Sequence, residues 1–120
     1  QSDWFVSVLS REHGDFDAIV VLAHMGANNP LLQVILNKIR EICGDSVAVQ
    51  FITGHTHVRM NVTLDSFSES FEAGRFLDTV GFVSFDIHKD DSESNSYDAS
   101  FRHEFIDGNV DTMNTILGGD

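Results

Sequence analysis

The chain carries three histidines at positions where apolar runs give way to turns. His24 follows the run over residues 18–23, and His55 and His57 follow the next such run within a Gly-His-Thr-His segment. Neutral imidazole is the commonest nitrogen ligand for divalent transition metals, so convergent histidines indicate a metal more readily than any other chemistry. A turn lets histidines two positions apart face one cleft, and Gly54 removes the side chain where the backbone must bend. We therefore predict that His24, His55 and His57 are metal ligands.

Two strands and a helix must position these histidines. Residues 18–23 form a run rich in β-branched side chains, typical of a parallel strand buried on both faces, and residues 47–52 form a second strand candidate. Between them, Asn29 suits a helix N-cap and Pro30 the first helical position. Strand, helix and strand predict a right-handed βαβ unit over about residues 17–54, whose strand ends bring the histidines to one edge of a sheet. The apolar face of this helix consists of Leu31, Leu32, Ile35, Leu36, Ile39 and Ile42.

The rest of the chain is β-rich over about residues 58–106. Apolar residues alternate there, which is typical of half-buried strands at a sheet edge or in an antiparallel meander. Residues 65–75 are polar and are predicted to form a connection with a turn at its end, and residues 89–98 are predicted to form a solvated loop. The alternating sets are Met60, Val62 and Leu64, then Val83, Phe85 and Ile87, then Ala99, Phe101, His103 and Phe105.

Two further helices are predicted at the two ends of the chain. Ser2 can cap an amphipathic helix that Gly14 is placed to end. Asn109 can cap a short terminal helix over about residues 110–117. Both helices carry several apolar residues: Trp4, Phe5, Val8 and Leu9 fall on one face of the first, and Val110, Met113, Ile116 and Leu117 belong to the second.

Composition narrows the class of protein. The chain has 120 residues, of which 42% are hydrophobic, enough for the core of one compact domain. Its net charge of -12 argues against a nucleic-acid binder, because such proteins need basic surface. No run approaches the roughly 18 apolar residues of a membrane span, so none is expected in this segment. The start at Gln1 has neither a signal-peptide pattern nor an initiator Met, which we interpret as a segment of a longer protein.

The motifs around the histidines resemble a known family. Residues 18–26, followed by Gly54-His55-Thr56-His57, are similar to the last two motifs of calcineurin-like metallophosphoesterases. Residues 72–82 also resemble the 5′-nucleotidase-like branch found in fungi, so the resemblance covers about residues 4 to 87. It implies that residues 1–120 are the C-terminal half of a catalytic domain, with an α/β fold. The βαβ unit and the more antiparallel strands would belong to a four-layer α/β/β/α sandwich.

The resemblance also implies an activity and a site. The activity is the hydrolysis of phosphate esters, with 5′-nucleotides as the expected substrates and nucleotide catabolism as the expected role. The site would hold two divalent metal ions (zinc, manganese or iron), bridged by an aspartate and a metal-bound hydroxide that attacks phosphorus in line. His24 and His55 would bind one ion, and His57 the other.

The family's earlier motifs are absent from this chain. They supply the bridging aspartate, an asparagine ligand and a catalytic histidine, so no catalytic residue is assigned within residues 1–120. The resemblance therefore implies that the chain works with the rest of its own catalytic domain and with a C-terminal nucleotidase domain. The remaining partner would be a small phosphate ester or a nucleotide.

Two other interpretations of the histidines stay open, together with one modification. The chain is a non-catalytic binding or interaction domain if the upstream carboxylate ligands have been lost. It is a mononuclear zinc site if all three histidines bind one ion, as in catalytic zinc enzymes. Asn61 begins an N-glycosylation sequon, which favours a secretory, vacuolar or extracellular setting over the cytoplasm, although such triplets also arise by chance.

Overall fold

A computed structural model describes residues 3–12, 14–87 and 98–118, which form three helices and six strands. No helix among these residues is long and apolar enough to cross a membrane. In chain order the elements are α1 (Asp3–Glu12), β1 (Ala18–Ala23), α2 (Pro30–Cys43), β2 (Ala48–Thr53), β3 (Arg59–Asp65), β4 (Ser68–Ala73), β5 (Thr79–Ser84), β6 (Arg102–Asp107) and α3 (Val110–Leu117).

Four strands form the main sheet in the order β1-β2-β4-β3. β1, β2 and β4 are parallel, and β3 pairs antiparallel with β4. Ala23 lies opposite Thr53, and Thr53 lies opposite Glu72, so the three parallel strands end side by side. We call this side the carboxyl edge, formed by these strand ends and the loops 24–29, 54–58 and 74–78. The amino edge, at the other ends of the strands, is formed by the loops 44–47 and 66–67.

α1 and α2 cover one face of the main sheet. α2 begins as the sequence predicts, because the side chain of Asn29 accepts a hydrogen bond from the N–H of Leu31 at 3.0 Å and Pro30 starts the helix. It ends at Gly44, whose φ of 85° suits a residue without a Cβ. Truncating a fully buried leucine in such a core to alanine costs about 2–5 kcal/mol. The core between helices and sheet consists of Leu9, Leu32, Leu36, Ile39, Cys43, Val49 and Phe51.

The second sheet, in which β5 and β6 are antiparallel, lies on the opposite face of the main sheet. Phe71 of β4 stacks on Phe105 of β6 with ring centroids 4.8 Å apart, an offset arrangement that aromatic rings favour. Gly81 of β5 lies so close to Phe71 that a Cβ at this position would overlap the ring. Val20 and Leu22 of β1 are 58% and 78% exposed, so the described residues leave the β1 side of this face open.

The mixed α/β class predicted from the sequence is confirmed, and most elements lie near their predicted positions. β1, α2, β2, β3 and α3 occur within a few residues of the segments that the apolar patterns indicate. The strand predicted around Val83 lies earlier, over Thr79–Ser84, and β6 begins only at Arg102. The predicted cap Ser2 and residues 89–97 of the predicted loop lie outside the described residues.

The polar connection predicted over residues 65–75 is wrong in its middle, where residues 68–73 form β4. The strand is polar but buried, and buried polar groups persist when they are hydrogen-bonded. The hydroxyl of Ser68 donates to Asp65, and that of Ser70 donates to the carbonyl of Ala27. A prediction based on hydrophobicity alone therefore misses such a strand.

Candidate metal centre

His24 and His55 meet at the carboxyl edge. His24 follows β1 and His55 follows β2, and both side chains are exposed. His24 Nε2 and His55 Nδ1 are 3.2 Å apart, and the rings are nearly perpendicular, at 82°. With one of these nitrogens protonated the pair forms an N–H···N hydrogen bond, and with both unprotonated their lone pairs can bind one cation.

The separation of the two nitrogens fits metal coordination. For zinc–nitrogen bonds of about 2.0–2.1 Å, two ligands at a tetrahedral angle lie about 3.3–3.4 Å apart. The pair at 3.2 Å therefore needs only a small adjustment to bind one ion of this size. The expected metals are zinc, manganese and iron. Imidazole suits them because its nitrogen binds divalent transition ions.

The loops that carry the two histidines are bonded to each other. The N–H of Gly54 donates to the carbonyl of Met25 at 3.2 Å, which ties the start of the second loop to the first. Gly26 is buried, and a Cβ there would lie 2.6 Å from the methyl group of Thr56. The first loop therefore needs a glycine where the second loop crosses it. The approach of His24 to His55 follows from this close contact between loops.

His57 lies apart from the pair. Its ring faces Phe76, with ring centroids 6.0 Å apart. In the part of the chain that the structure describes, no three His, Cys, Asp or Glu side chains form a group that could hold a metal ion. The structure thus brings together two of the three predicted ligands, and a metal role for His57 stays a prediction.

The backbone of the Gly-His-Thr-His turn differs from the prediction for Gly54. His55 has φ 123° and His57 has φ 64°, whereas Gly54 is not among the residues with positive φ. A Cβ at Gly54 would meet no atom within 4 Å. The prediction that Gly54 makes the bend is wrong, because the two histidines adopt the conformations that cost energy for side chains with a Cβ.

The sequence predicts a turn around Glu72, and the structure instead places this residue in a strand. It is the last but one residue of β4 and is fully buried. Its Oε1 accepts the N–H of His57 at 2.9 Å, and its Oε2 accepts the hydroxyl of Thr56 at 2.8 Å and the N–H of Ala27 at 3.4 Å. No local signal identifies Glu72, because the strand that carries it is polar and its partners lie 15, 16 and 45 positions away in sequence.

The loop after β4 completes the carboxyl edge. Phe76 and Leu77 have φ 56° and 60° and are 83% and 92% exposed, and the guanidinium of Arg75 lies 4.9 Å from the Phe76 ring centroid. Of the five non-glycine residues with positive φ in the described segments, four lie at this edge, and such strain clusters at functional sites. A cavity of about 290 Å³ beside this loop is lined by Ala73, Gly74, Arg75, Phe76, Leu77 and Thr79.

A larger cavity, of about 370 Å³, lies away from the histidines, against Thr63, Glu69 and Asp98. Cavity size therefore does not locate the candidate site; the histidine pair does. Asn61, the predicted glycosylation acceptor, lies in β3 opposite Phe71, under the second sheet. Its Oδ1 is enclosed and has no hydrogen-bond partner among the described residues. Glycosylation at Asn61 stays a prediction.

Three proteins are similar in sequence to this chain. No protein-family model matches the chain. The chain is 34% identical to the uncharacterized protein YHR202W of Saccharomyces cerevisiae over 94% of its length, and 30% identical to a secreted protein of Arthroderma benhamiae over 70%. It is 27% identical to the uncharacterized protein C1039.02 of Schizosaccharomyces pombe over 72%. It spans 19%, 13% and 14% of these three proteins, so it corresponds to a small part of each.

The chain is also similar to a solved structure over its whole length. This is the crystal structure of 5′-nucleotidase from Candida albicans, with a TM-score of 0.80 and 26% sequence identity over 100% of this chain. The match covers 22% of the nucleotidase chain. The fold described above is therefore the fold of one segment of a 5′-nucleotidase.

Proposed function

We propose that this chain is part of a metal-dependent phosphoesterase that hydrolyses 5′-nucleotides. In this proposal His24 and His55 bind one divalent ion, His57 binds a second, and the remaining ligands come from outside the chain. The observation that carries the proposal is the approach of His24 Nε2 and His55 Nδ1 to 3.2 Å, in a segment that shares its fold with a 5′-nucleotidase.

The chain's own contribution to this reaction is to bind and orient. Paired divalent ions, when bound, lower the pKa of water and stabilise charge on the attacking and leaving oxygens of a phosphate ester. The parallel strands β1 and β2 hold the two histidines side by side, since Ala23 and Thr53 are paired in register. The buried carboxyl group of Glu72 holds the backbone of His57.

The place of His57 supports two ions over one. A mononuclear site of three histidines needs all three rings around one point, whereas His57 lies against Phe76 and forms no three-residue group with the pair. The mononuclear site and the non-catalytic domain both remain outcomes of the experiment below.

The test uses the full-length protein with an AMP substrate and with a small phosphate ester. Metal analysis should find two divalent ions per chain, and His55→Ala should remove one ion and lower kcat by about 100–1000-fold, the range of losses for single electrostatic groups. His103→Gln is the matched control, because His103 is an exposed histidine on the second sheet and should be replaceable. One ion per chain with full activity would support the mononuclear site. No metal and no hydrolysis would support the non-catalytic domain.

A further inference from the structure

The buried side chain of Glu72 hydrogen-bonds to both of the loops that carry the histidines. Its side chain is fully buried at the end of β4, between the loop after β1 and the loop after β2. Resting on the proposed function, we propose that Glu72 is a positioning residue for the metal ligands: its carboxyl group sets the distance between the two loops and the conformation of His57.

The three hydrogen bonds of Glu72 divide between the loops. Oε1 accepts the N–H of His57 at 2.9 Å, and Oε2 accepts the hydroxyl of Thr56 at 2.8 Å. Oε2 also accepts the N–H of Ala27 at 3.4 Å, three residues after His24. One rigid group thus has donors from both loops, and moving either loop breaks a bond in a buried place.

The rest of β4 supports this role. Ser70, two residues earlier and on the same face of the strand, donates its hydroxyl to the carbonyl of Ala27. The N–H and the carbonyl of Ala27 are therefore both bonded to β4, and Ala27 is fully buried. Two of the buried polar side chains of β4, those of Ser70 and Glu72, therefore hold the first histidine loop.

His57 needs such a restraint because its backbone is strained. Its φ of 64° is in the left-handed region, which a residue with a Cβ adopts at a cost. The bond from its N–H to Glu72 is the contact that offsets this cost from the buried side. Groups that orient metal ligands typically change metal affinity by about 10–100-fold when they are replaced.

The experiment compares two buried carboxyl groups of the same strand in the full-length protein. Glu72→Gln keeps the size of the side chain but places an NH₂ group against donors that need an acceptor. Glu69→Gln is the matched control, because Glu69 is also buried but bonds to Thr63 and touches neither histidine loop. Titration with Mn²⁺ or Zn²⁺ alone should show about 10–100-fold weaker binding in Glu72→Gln and unchanged binding in Glu69→Gln.

A second measurement uses the metal-free protein. Hydrogen–deuterium exchange of the His57 amide should be about tenfold faster in Glu72→Gln than in the wild type, because this N–H loses a hydrogen bond to a carboxyl group. This result is independent of catalysis: a wild-type protein without phosphatase activity would refute the proposed function and leave the exchange result standing. If Glu72→Gln does not fold, Thr56→Val removes one donor alone and should weaken metal binding several-fold.

Three results would overturn the positioning role. The first is a folded Glu72→Gln protein with wild-type metal affinity and wild-type exchange. The second is a Glu69→Gln protein in which metal binding weakens as much as in Glu72→Gln, since the effect would then be general destabilisation of β4. The third applies if Glu72→Gln does not fold: it is a Thr56→Val protein that binds the metal with wild-type affinity.

Discussion

The two edges of the main sheet are each held by one buried charged side chain, and the two side chains are satisfied in different ways. At the amino edge Arg40, with a side chain 10% exposed, donates to both carboxylate oxygens of Asp65, at 2.9 and 3.1 Å. It also donates to the carbonyls of Val47 and Phe67, at 2.6 and 3.1 Å. One guanidinium therefore joins α2, the start of β2 and the turn between β3 and β4.

At the carboxyl edge Glu72 accepts hydrogen bonds from neutral groups only. Within the described segments no ion pair includes Glu72, and the imidazoles of His24 and His55 lie exposed nearby. The positive-φ residues His55 and His57 belong to this edge as well. The amino edge pairs its guanidinium with a carboxylate and contributes to stability. The carboxyl edge instead combines backbone strain with a buried carboxyl group that has no ion pair among the described residues, features that collect where a protein binds ligands.

The largest expected effect is on the amino edge. Arg40→Met should lower the free energy of unfolding by about 3 kcal/mol, because three carbonyls and the carboxylate of Asp65 lose the hydrogen bonds of the guanidinium in a partly buried place. Lys38→Met is the control on the same helix: Lys38 pairs with the exposed Glu41 three residues on, and its loss should cost about 0.5 kcal/mol or less. Urea denaturation measures both. Weaker metal binding by folded Arg40→Met would contradict the inference that the amino edge contributes to stability and the carboxyl edge to metal binding.

A glycine pair tests the carboxyl edge. Gly26→Ala places a methyl group 2.6 Å from Thr56 and should push that residue off Glu72. We expect metal affinity to fall roughly tenfold and the free energy of unfolding by about 1–2 kcal/mol. Gly54→Ala, in the neighbouring loop, meets no atom within 4 Å and should change stability by less than about 0.5 kcal/mol. Equal effects of the two substitutions on metal titration would refute the importance of this loop contact.

The smallest expected effect is a pH dependence at the amino edge. Burial acts to raise the pKa of Asp65, but the hydrogen bonds from Arg40, the Phe67 N–H and Ser68 outweigh it, so the pKa lies below its ordinary value. A lowered folded-state pKa contributes stability that is present above the unfolded-state pKa and is lost as pH falls through the folded-state value. Asp65→Asn should therefore flatten the stability profile below about pH 4, by roughly 1 kcal/mol given the partial exposure of the side chain. Urea denaturation measures this profile. If Asp65→Asn and the wild type lose the same free energy of unfolding at low pH, this contribution is excluded.

The sequence was informative where apolar periodicity decides the structure. The runs that became β1, α2 and β2 are apolar because they enclose the core, and the placement of His24 and His55 at one edge followed from their parallel arrangement. β4 could not be predicted this way, because its side chains are stabilised by partners far away in sequence. Glu72 bonds to Ala27 across 45 positions, and no local pattern contains that contact.

The geometry of the turn was also beyond local reasoning. Glycine is the usual residue at positive φ, so Gly54 was the natural candidate for the bend. The structure gives the positive φ values to His55 and His57 instead, and a hydrogen bond from outside the turn, to Glu72, holds the backbone N–H of His57. Local preference was overridden by tertiary contacts, and the override occurs at the candidate metal ligands.

The open side of β1 has a consequence for handling this protein in the laboratory. β1 has a hydrogen-bonded neighbour on one side only among the described strands, and Val20 and Leu22 point apolar side chains away from the helices. An unpaired strand edge with exposed aliphatic groups is a template for association between chains. These 120 residues produced alone would tend to aggregate through β1, whereas charged residues at these two positions should keep them in solution.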